Sequence, residues 1–430
     1  MSVARRREIV LLCLVAVITA LGMALTCAAL HNSAVRATRG VVPVAILLLV
    51  SFLMDLTGKG RDRTLLPIVA MICGIGIIML WRLEGPRSFQ ASKQIVWMTI
   101  GAGLMLATYL VVVDVRSLSR FKYIAGAGAV LLLMVTMIWG QERYGARLWI
   151  AVGNLSLQPG EFAKILMAIS LAGYAADRGQ IISQGGRDRW GLPLVEIKYL
   201  GPIGILVLFC LALFVTQRDL GAAVLFFGLA VAVIYLSTGR RTYVLLGLIA
   251  FAGGALLASN MFPHVHRRMV AWLYPQSDPS GAGLQTLRVM YGLGEGGVLG
   301  TGLGLGMPQK MPAVATDLIF GAVGEELGLA GTLALLTLFA MATFNGFMIA
   351  WRSRDRFGML LAASLTTVFA LQTLVIVGGV IRAFPLTGIT LPFVSYGGTS
   401  VVVNFISIGL LLAVSRDCTG APERPLRNHA

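Results

Sequence analysis

The chain has 430 residues, of which 57% are hydrophobic and 13% charged, and its mean hydropathy is +0.83. Soluble domains run at about 45–50% apolar and about 25% charged, so a water-soluble globular protein is excluded and an all-α, polytopic membrane protein is expected. The net charge is +16, from 35 Lys+Arg against 19 Asp+Glu. No basic stretch interleaved with aromatic residues occurs, so the surplus points to basic loops beside membrane spans and not to nucleic acid.

In chain order, Arg5, Arg6 and Arg7 precede an apolar run over 9–30. That run is long enough to cross a bilayer and has no clear small-x-small cleavage site, so it reads as a first transmembrane helix and not as a signal peptide. Further runs lie at 41–54, 65–82, 94–113, 123–139, 161–176, 199–216, 220–237, 242–260, 320–350, 357–381 and 398–415, which makes twelve spans. Four of the five cysteines (Cys13, Cys27, Cys73, Cys210) fall inside these runs and Cys418 in the tail. Without a C-x-x-C pair, neither a disulfide framework nor a metal cluster is expected.

A cytoplasmic N-terminus puts most of the Lys and Arg residues inside, and an even span count returns the C-terminal tail, 416–430, to the cytoplasm. The four irregular connections then share the outer side: 144–161, 216–221, 264–317 and 384–400. Polar, Gly/Pro-rich sequence at membrane depth is tolerated where it lines a wet cavity, so the working face is expected outside.

The longest polar interruption runs from His264 to Gly328. It ends where Asp317 enters an apolar run. A carboxylate at that depth is costly and marks a functional site, although Thr316 or Asp317 would also suit a helix N-cap. Glu325 and Glu326 follow on the expected helix, where they could hold a metal, tune Asp317, or pair with a neighbouring helix. The glycines from Gly292 to Gly306 do not make a nucleotide loop, since no Gly-Lys-Ser/Thr follows them; they read as a tightly folded or mobile substrate loop. Arg147 with Trp149 could grip a phosphate and lie against a sugar, or could form an interfacial belt. Glu161 and Lys164 have the spacing of an intrahelical ion pair. Asp219 sits between two spans, positioned to cap the second, with Arg218 beside it. Ser395, Tyr396, Thr399 and Ser400 lie in a segment read as a broken or re-entrant helix, where they would satisfy freed backbone or touch substrate.

These motifs carry a resemblance. Gly145-Ala146-Arg147-Leu148-Trp149 with Gln158-Pro159-Gly160-Glu161-Phe162-Ala163-Lys164 looks like the GARxW…QPSExxK segment of the FtsW/RodA/SpoVE (SEDS) family. Gln217-Arg218-Asp219-Leu220-Gly221 resembles its QPDLG. Ala315-Thr316-Asp317 with Gly324-Glu325-Glu326-Leu327-Gly328 resembles HTDFIF…GEELG, and 384–400 resembles xPxTGxxLPFxSYGGSS. The resemblance covers about 65–415. It implies a SEDS-like core over 61–415 with outer loops 140–160, 261–316 and 382–400, preceded by two additional helices in 1–60.

It further implies a peptidoglycan glycosyltransferase that polymerises lipid II on the outer leaflet. Asp317 corresponds to the family's catalytic aspartate, and a class B penicillin-binding protein is the expected partner. Arg267, Arg268 and Lys310 become candidates for the substrate diphosphate, with a divalent cation (Mg or Mn) as a possible helper. Ala313 and Ala315 stand where the family commonly has Glu and His, Arg218 where it has Pro, and Gly160 where it has Ser. Two alternatives stand beside this reading: a flippase for lipid-linked precursors, and a non-catalytic scaffold for a penicillin-binding protein, which the missing Glu and His keep open.

Overall fold

The structure is a computed structural model and describes residues 3–29, 34–84, 89–143, 146–153, 155–183 and 197–416. The predicted tail beyond Arg416 and most of the expected connection 177–198 lie outside the described residues. The helices are α1 (Val3–Ala29), α2 (Ala34–Leu56), α3 (Leu65–Leu83), α4 (Gln90–Val111), α5 (Lys122–Trp139), α6 (Pro159–Ser183), α7 (Ile197–Gln217), α8 (Leu220–Thr238), α9 (Arg241–Met261), α10 (Pro263–Leu273), α11 (Leu284–Gly296), α12 (Ile319–Arg352), α13 (Arg356–Val380) and α14 (Gly398–Arg416). A small antiparallel sheet, β1 (Gln141–Arg143), β2 (Ala146–Val152) and β3 (Leu155–Leu157), joins α5 to α6.

Every one of the twelve predicted runs coincides with a helix, and among the described residues ten helices are long and apolar enough to cross a membrane. The other two are α6, whose first turns carry the buried charges Glu161 and Lys164, and α7, whose described apolar stretch is Gly201–Gln217. The protein is therefore a multi-pass, all-α membrane protein. Its inner helices are α3, α13 and α14: 89% of the α3 span is buried, against 6% of α9, which faces outward nearly all round. Close approach between helices depends on small residues, as expected where lipid supplies no hydrophobic drive. A Cβ on Gly74 of α3 would lie 2.4 Å from Thr19 Oγ1 of α1, and one on Gly409 of α14 would lie 2.7 Å from the Met105 carbonyl of α4.

The connections after α5, α7, α9 and α13 meet at one end of the bundle. The Gln158 N–H donates to Thr399 Oγ1 (3.1 Å), Tyr396 N–H to the Ala315 carbonyl (2.8 Å), and Arg268 Nη1 to the Thr387 carbonyl (2.8 Å). At the opposite end, Glu8 is buried between Arg61 (2.7 Å) and Arg63 (2.9 Å).

Two expectations about this end need correction. The long polar interruption is not a loop throughout. It folds into α10, opened by Pro263 at a position where its missing N–H costs nothing, and α11, which contains Gly292, Gly294 and Gly296. Sequence composition hid these helices because their apolar residues occupy one stripe only. The segment before α14 is also not a re-entrant helix. Residues 386–396 run as non-helical chain, exposed at Gly388 and then buried at Leu391, Pro392, Phe393 and Val394, with Phe393 at φ 64°.

Candidate active site

Asp317 lies in a tight turn immediately before α12. The N–H groups of Thr316, Asp317 and Leu318 all point at the Ala313 carbonyl (3.1, 3.0 and 3.3 Å), and Ala313 itself takes φ 51°. The helix cap is Leu318, with no side-chain bond to the first turn, so the capping role open to Thr316 or Asp317 is not used. The Asp317 carboxylate is left half-buried and available for chemistry.

Its backbone is fixed from the other side by 395–396. Ser395 Oγ donates to the Thr316 carbonyl (2.5 Å) while accepting from Leu391 N–H (2.9 Å), and Tyr396 N–H holds Ala315. Gln94 of α4 in turn donates to the Ser395 carbonyl (3.0 Å) and accepts from Gly397 N–H (3.2 Å). Ser395 and the Tyr396 backbone thus hold the Asp317 loop in place. Among the alternatives read from sequence, backbone repair is the one realised for Ser395.

Arg268 of α10 faces Asp317 across Gly388. A Cβ on Gly388 would sit 3.6 Å from Asp317 Oδ2 and 3.8 Å from Arg268 Nη2, and this glycine takes φ +75°. The guanidinium is pinned by the Leu386 and Thr387 carbonyls (3.3 and 2.8 Å). A Gly388→Val substitution combines left-handed strain with a side chain wedged between the two charges. It is expected to lower kcat/KM for glycan synthesis by at least about tenfold, measured by initial rates. A wild-type rate for this variant would show that the space above Gly388 is not where substrate reacts.

Asp219 caps α8 by accepting from Ala222 N–H (2.9 Å), as its place between two spans predicted. It is buried, and the charges around it are Glu161, Lys164 and Arg268. Glu161 and Lys164 form the expected intrahelical pair at 2.7 Å, and Lys164 Nζ also reaches Gln372 Oε1 of α13 (3.0 Å). Gln372 Nε2 then donates to the Thr390 carbonyl (2.7 Å), tying the pair to the same segment.

Two carboxylates are therefore tuned by one guanidinium. Burial pushes the Asp317 carboxyl above the usual carboxylate range, while Thr316 and Arg268 pull it back. Burial raises Asp219 likewise, opposed by its bond to Ala222 N–H, by Lys164 and by Arg268. A carboxyl raised in this way is a suitable proton acceptor near neutral pH.

Other predicted residues lie elsewhere. Arg147 is on β2 and pairs with Glu142 of β1 at 3.7 Å, both more than half exposed; Trp149 of the same strand is half-buried. Arg267 and Lys310 are exposed. Glu325 and Glu326 are engaged away from Asp317. Glu325 Oε1 accepts from Met307 N–H (2.5 Å), and Glu326 accepts from Gly304 N–H (3.1 Å) and pairs with Arg82 of α3 at 2.7 Å. For Glu326, the ion pair with a neighbouring helix is the alternative realised.

Among the described residues, no group of three or more His, Cys, Asp or Glu side chains is placed to hold a metal ion. The carboxylates near Asp317 are interleaved with Lys164 and Arg268, a donor set that does not fit a divalent cation. Sequence reading passed over Gln94, Gln372, Gly388 and Arg82. The signal was available for the two glutamines, since an amide inside an apolar run must find a partner there.

Comparison with known proteins agrees with this architecture. The FtsW/RodA/SpoVE family, described as "Cell cycle protein", matches residues 63–419, and the chain belongs to that family. It is 38% identical over 376 residues to a peptidoglycan glycosyltransferase RodA of Mycobacterium tuberculosis, covering 85% of this chain and 79% of the relative. It is 31% identical to the stage V sporulation protein E of Bacillus subtilis, covering 83% and 97%. Among solved structures, a chain from "Structural coordination of polymerization and crosslinking by a peptidoglycan synthase complex" superposes with TM-score 0.69 at 25% identity, covering 84% of this chain and 99% of that one. The RodA of Thermus thermophilus gives 0.62 at 25% identity, with the same coverage.

Proposed function

We propose that this protein is a peptidoglycan glycosyltransferase that polymerises lipid II, with Asp317 as general base. The observation that carries the reading is the convergence of Asp317 and Arg268 over Gly388, in a chain whose relatives are named for this activity. Asp317 takes the proton from the attacking sugar hydroxyl of the acceptor. The freed oxygen forms the new bond at the donor's anomeric carbon, and the bond to undecaprenyl diphosphate breaks with inversion. Arg268, held by two carbonyls, offers fixed positive charge to the departing diphosphate.

The preponderance of Lys and Arg on the other side of the membrane supports placing this end outside the cytoplasm, with both termini inside. A transpeptidase of the class B penicillin-binding type is the partner that the product calls for, since uncross-linked strands carry no load. The test is incubation of purified lipid II with the detergent-solubilised protein, with and without that partner. Glycan strands are expected from the wild type. Their absence in both conditions would transfer the argument to a transporter or scaffold.

A further inference from the structure

The segment outside the family match is built into the active end of the molecule. The match begins at residue 63, yet α1 runs the full depth of the bundle, 27 residues or about 40 Å. Its first turns are locked in place. Glu8 is fully buried between Arg61 and Arg63 and accepts from Ser51 Oγ (3.0 Å), while Arg5 pairs with Asp55 at 2.9 Å. Along its length it lies directly on α3: beside the Thr19–Gly74 contact, a Cβ on Gly22 would fall 2.5 Å from Ile78 Cδ1. A helix fixed at one end and packed on α3 throughout delivers its last turn to a defined place.

That place is the glycine-rich segment 297–307. Five of its eleven residues are glycine, and it is shaped from outside. Thr301 and Gly302 donate their N–H groups to the Glu325 and Glu326 carbonyls (both 3.0 Å). Gly304 and Met307 donate to the Glu326 and Glu325 carboxylates. Arg82, in the last turn of α3, pairs with Glu326 and donates to the Gly306 carbonyl (2.9 Å). Leu329 and Ala330 N–H donate to the Gly297 and Val298 carbonyls (both 3.0 Å), and the end of α1 is a further neighbour. A Cβ on Gly304, which takes φ +88°, would sit 2.5 Å from Ala29 Cβ and 3.9 Å from Arg82 Nε. Ten residues beyond Met307 the chain reaches Asp317.

We propose that α1 is a positioning element for the active site, backing the 297–307 segment through the contact of Ala29 with Gly304 and so setting the approach of the chain to Asp317. The inference rests on the glycosyltransferase reading for its catalytic consequence, but the contact can be tested without it. The chemistry explains the residue types. Glycine at 304 gives the left-handed turn that lets Glu326 take its N–H, and only a small residue at 29 leaves room for that turn. The helix acts by holding a segment in which every second or third residue is glycine.

The test is Ala29→Leu in the full-length protein, with Leu25→Phe as the control, since Leu25 faces outward on the same helix. Ala29→Leu adds volume at the contact without altering any charged or hydrogen-bonding group. For Ala29→Leu, kcat is expected to fall about tenfold with KM for lipid II changed less than about twofold, because misplacement acts on the reacting geometry and not on uniform binding. Amide exchange over 298–307 is expected to rise while that of α3 and α13 stays at the wild-type level. Leu25→Phe should leave both at wild-type values.

Wild-type kcat together with wild-type exchange in Ala29→Leu overturns the proposal. So does a loss of activity accompanied by faster exchange throughout the bundle, because that is general destabilisation. If the wild type makes no glycan strands, the glycosyltransferase reading fails by itself, and the exchange of 298–307 still decides whether α1 holds the segment.

Discussion

Asp317→Asn lowers the rate of lipid II polymerisation by about 10²–10⁴-fold, the range that a positioned general base contributes. Asparagine keeps the size and polarity of the side chain, so the turn closed on the Ala313 carbonyl and the hydrogen bonds from Ser395 and Tyr396 to the neighbouring backbone survive. The loss should therefore appear in kcat with expression and thermal midpoint unchanged. A variant that retains more than about a tenth of the wild-type rate would remove Asp317 from the chemistry. Asp219, raised by the same burial and facing the same Arg268, would be the next carboxyl to replace.

Arg82→Ala gives the largest expected effect on stability. The Arg82–Glu326 pair is enclosed, with side-chain exposures of 4% and 0%, so truncating the arginine leaves a carboxylate without its counter-charge in a dry site. Breaking a buried pair on one side costs about 3–5 kcal/mol. The same substitution also removes the donor to the Gly306 carbonyl. Thermal unfolding in detergent should show the fall, and adding Glu326→Gln to Arg82→Ala should recover part of it by removing the stranded charge. An unchanged midpoint in Arg82→Ala would mean that Glu326 finds another partner and that the 297–307 segment does not depend on α3.

The spans were legible because hydropathy alone specifies them. Asp317 was legible as a carboxylate at the mouth of an apolar run. What surrounds it was not. Arg268 looked no better than its neighbour Arg267 in sequence; the difference is which face of α10 each occupies, and α10 itself was hidden in a stretch read as loop. Glu325 and Glu326 seemed near Asp317 because a helix was drawn through all three. The helix begins only at Ile319, and both carboxylates turn toward the glycine-rich segment instead. Contacts between residues far apart in the chain, such as Lys164 with Gln372 or Gln94 with the Ser395 carbonyl, leave no periodic trace that a single sequence could show.

The claim that Asp317 works as a base, tuned by Arg268, is tested most directly by the acid limb of kcat against pH in the wild type and in Arg268→Gln. The base must be ionised to act, and burial already holds its pKa above the ordinary carboxylate range, with Arg268 opposing that rise. Removing the guanidinium withdraws an interaction that favours the charged form, so the pKa climbs further and activity at mildly acidic pH is lost first. The account predicts an acid limb displaced to higher pH in Arg268→Gln, with the plateau above it reduced by the loss of charge at the leaving diphosphate. A limb that stays where it is in the wild type while the plateau falls would contradict it, since Arg268 would then bind substrate without touching the proton acceptor.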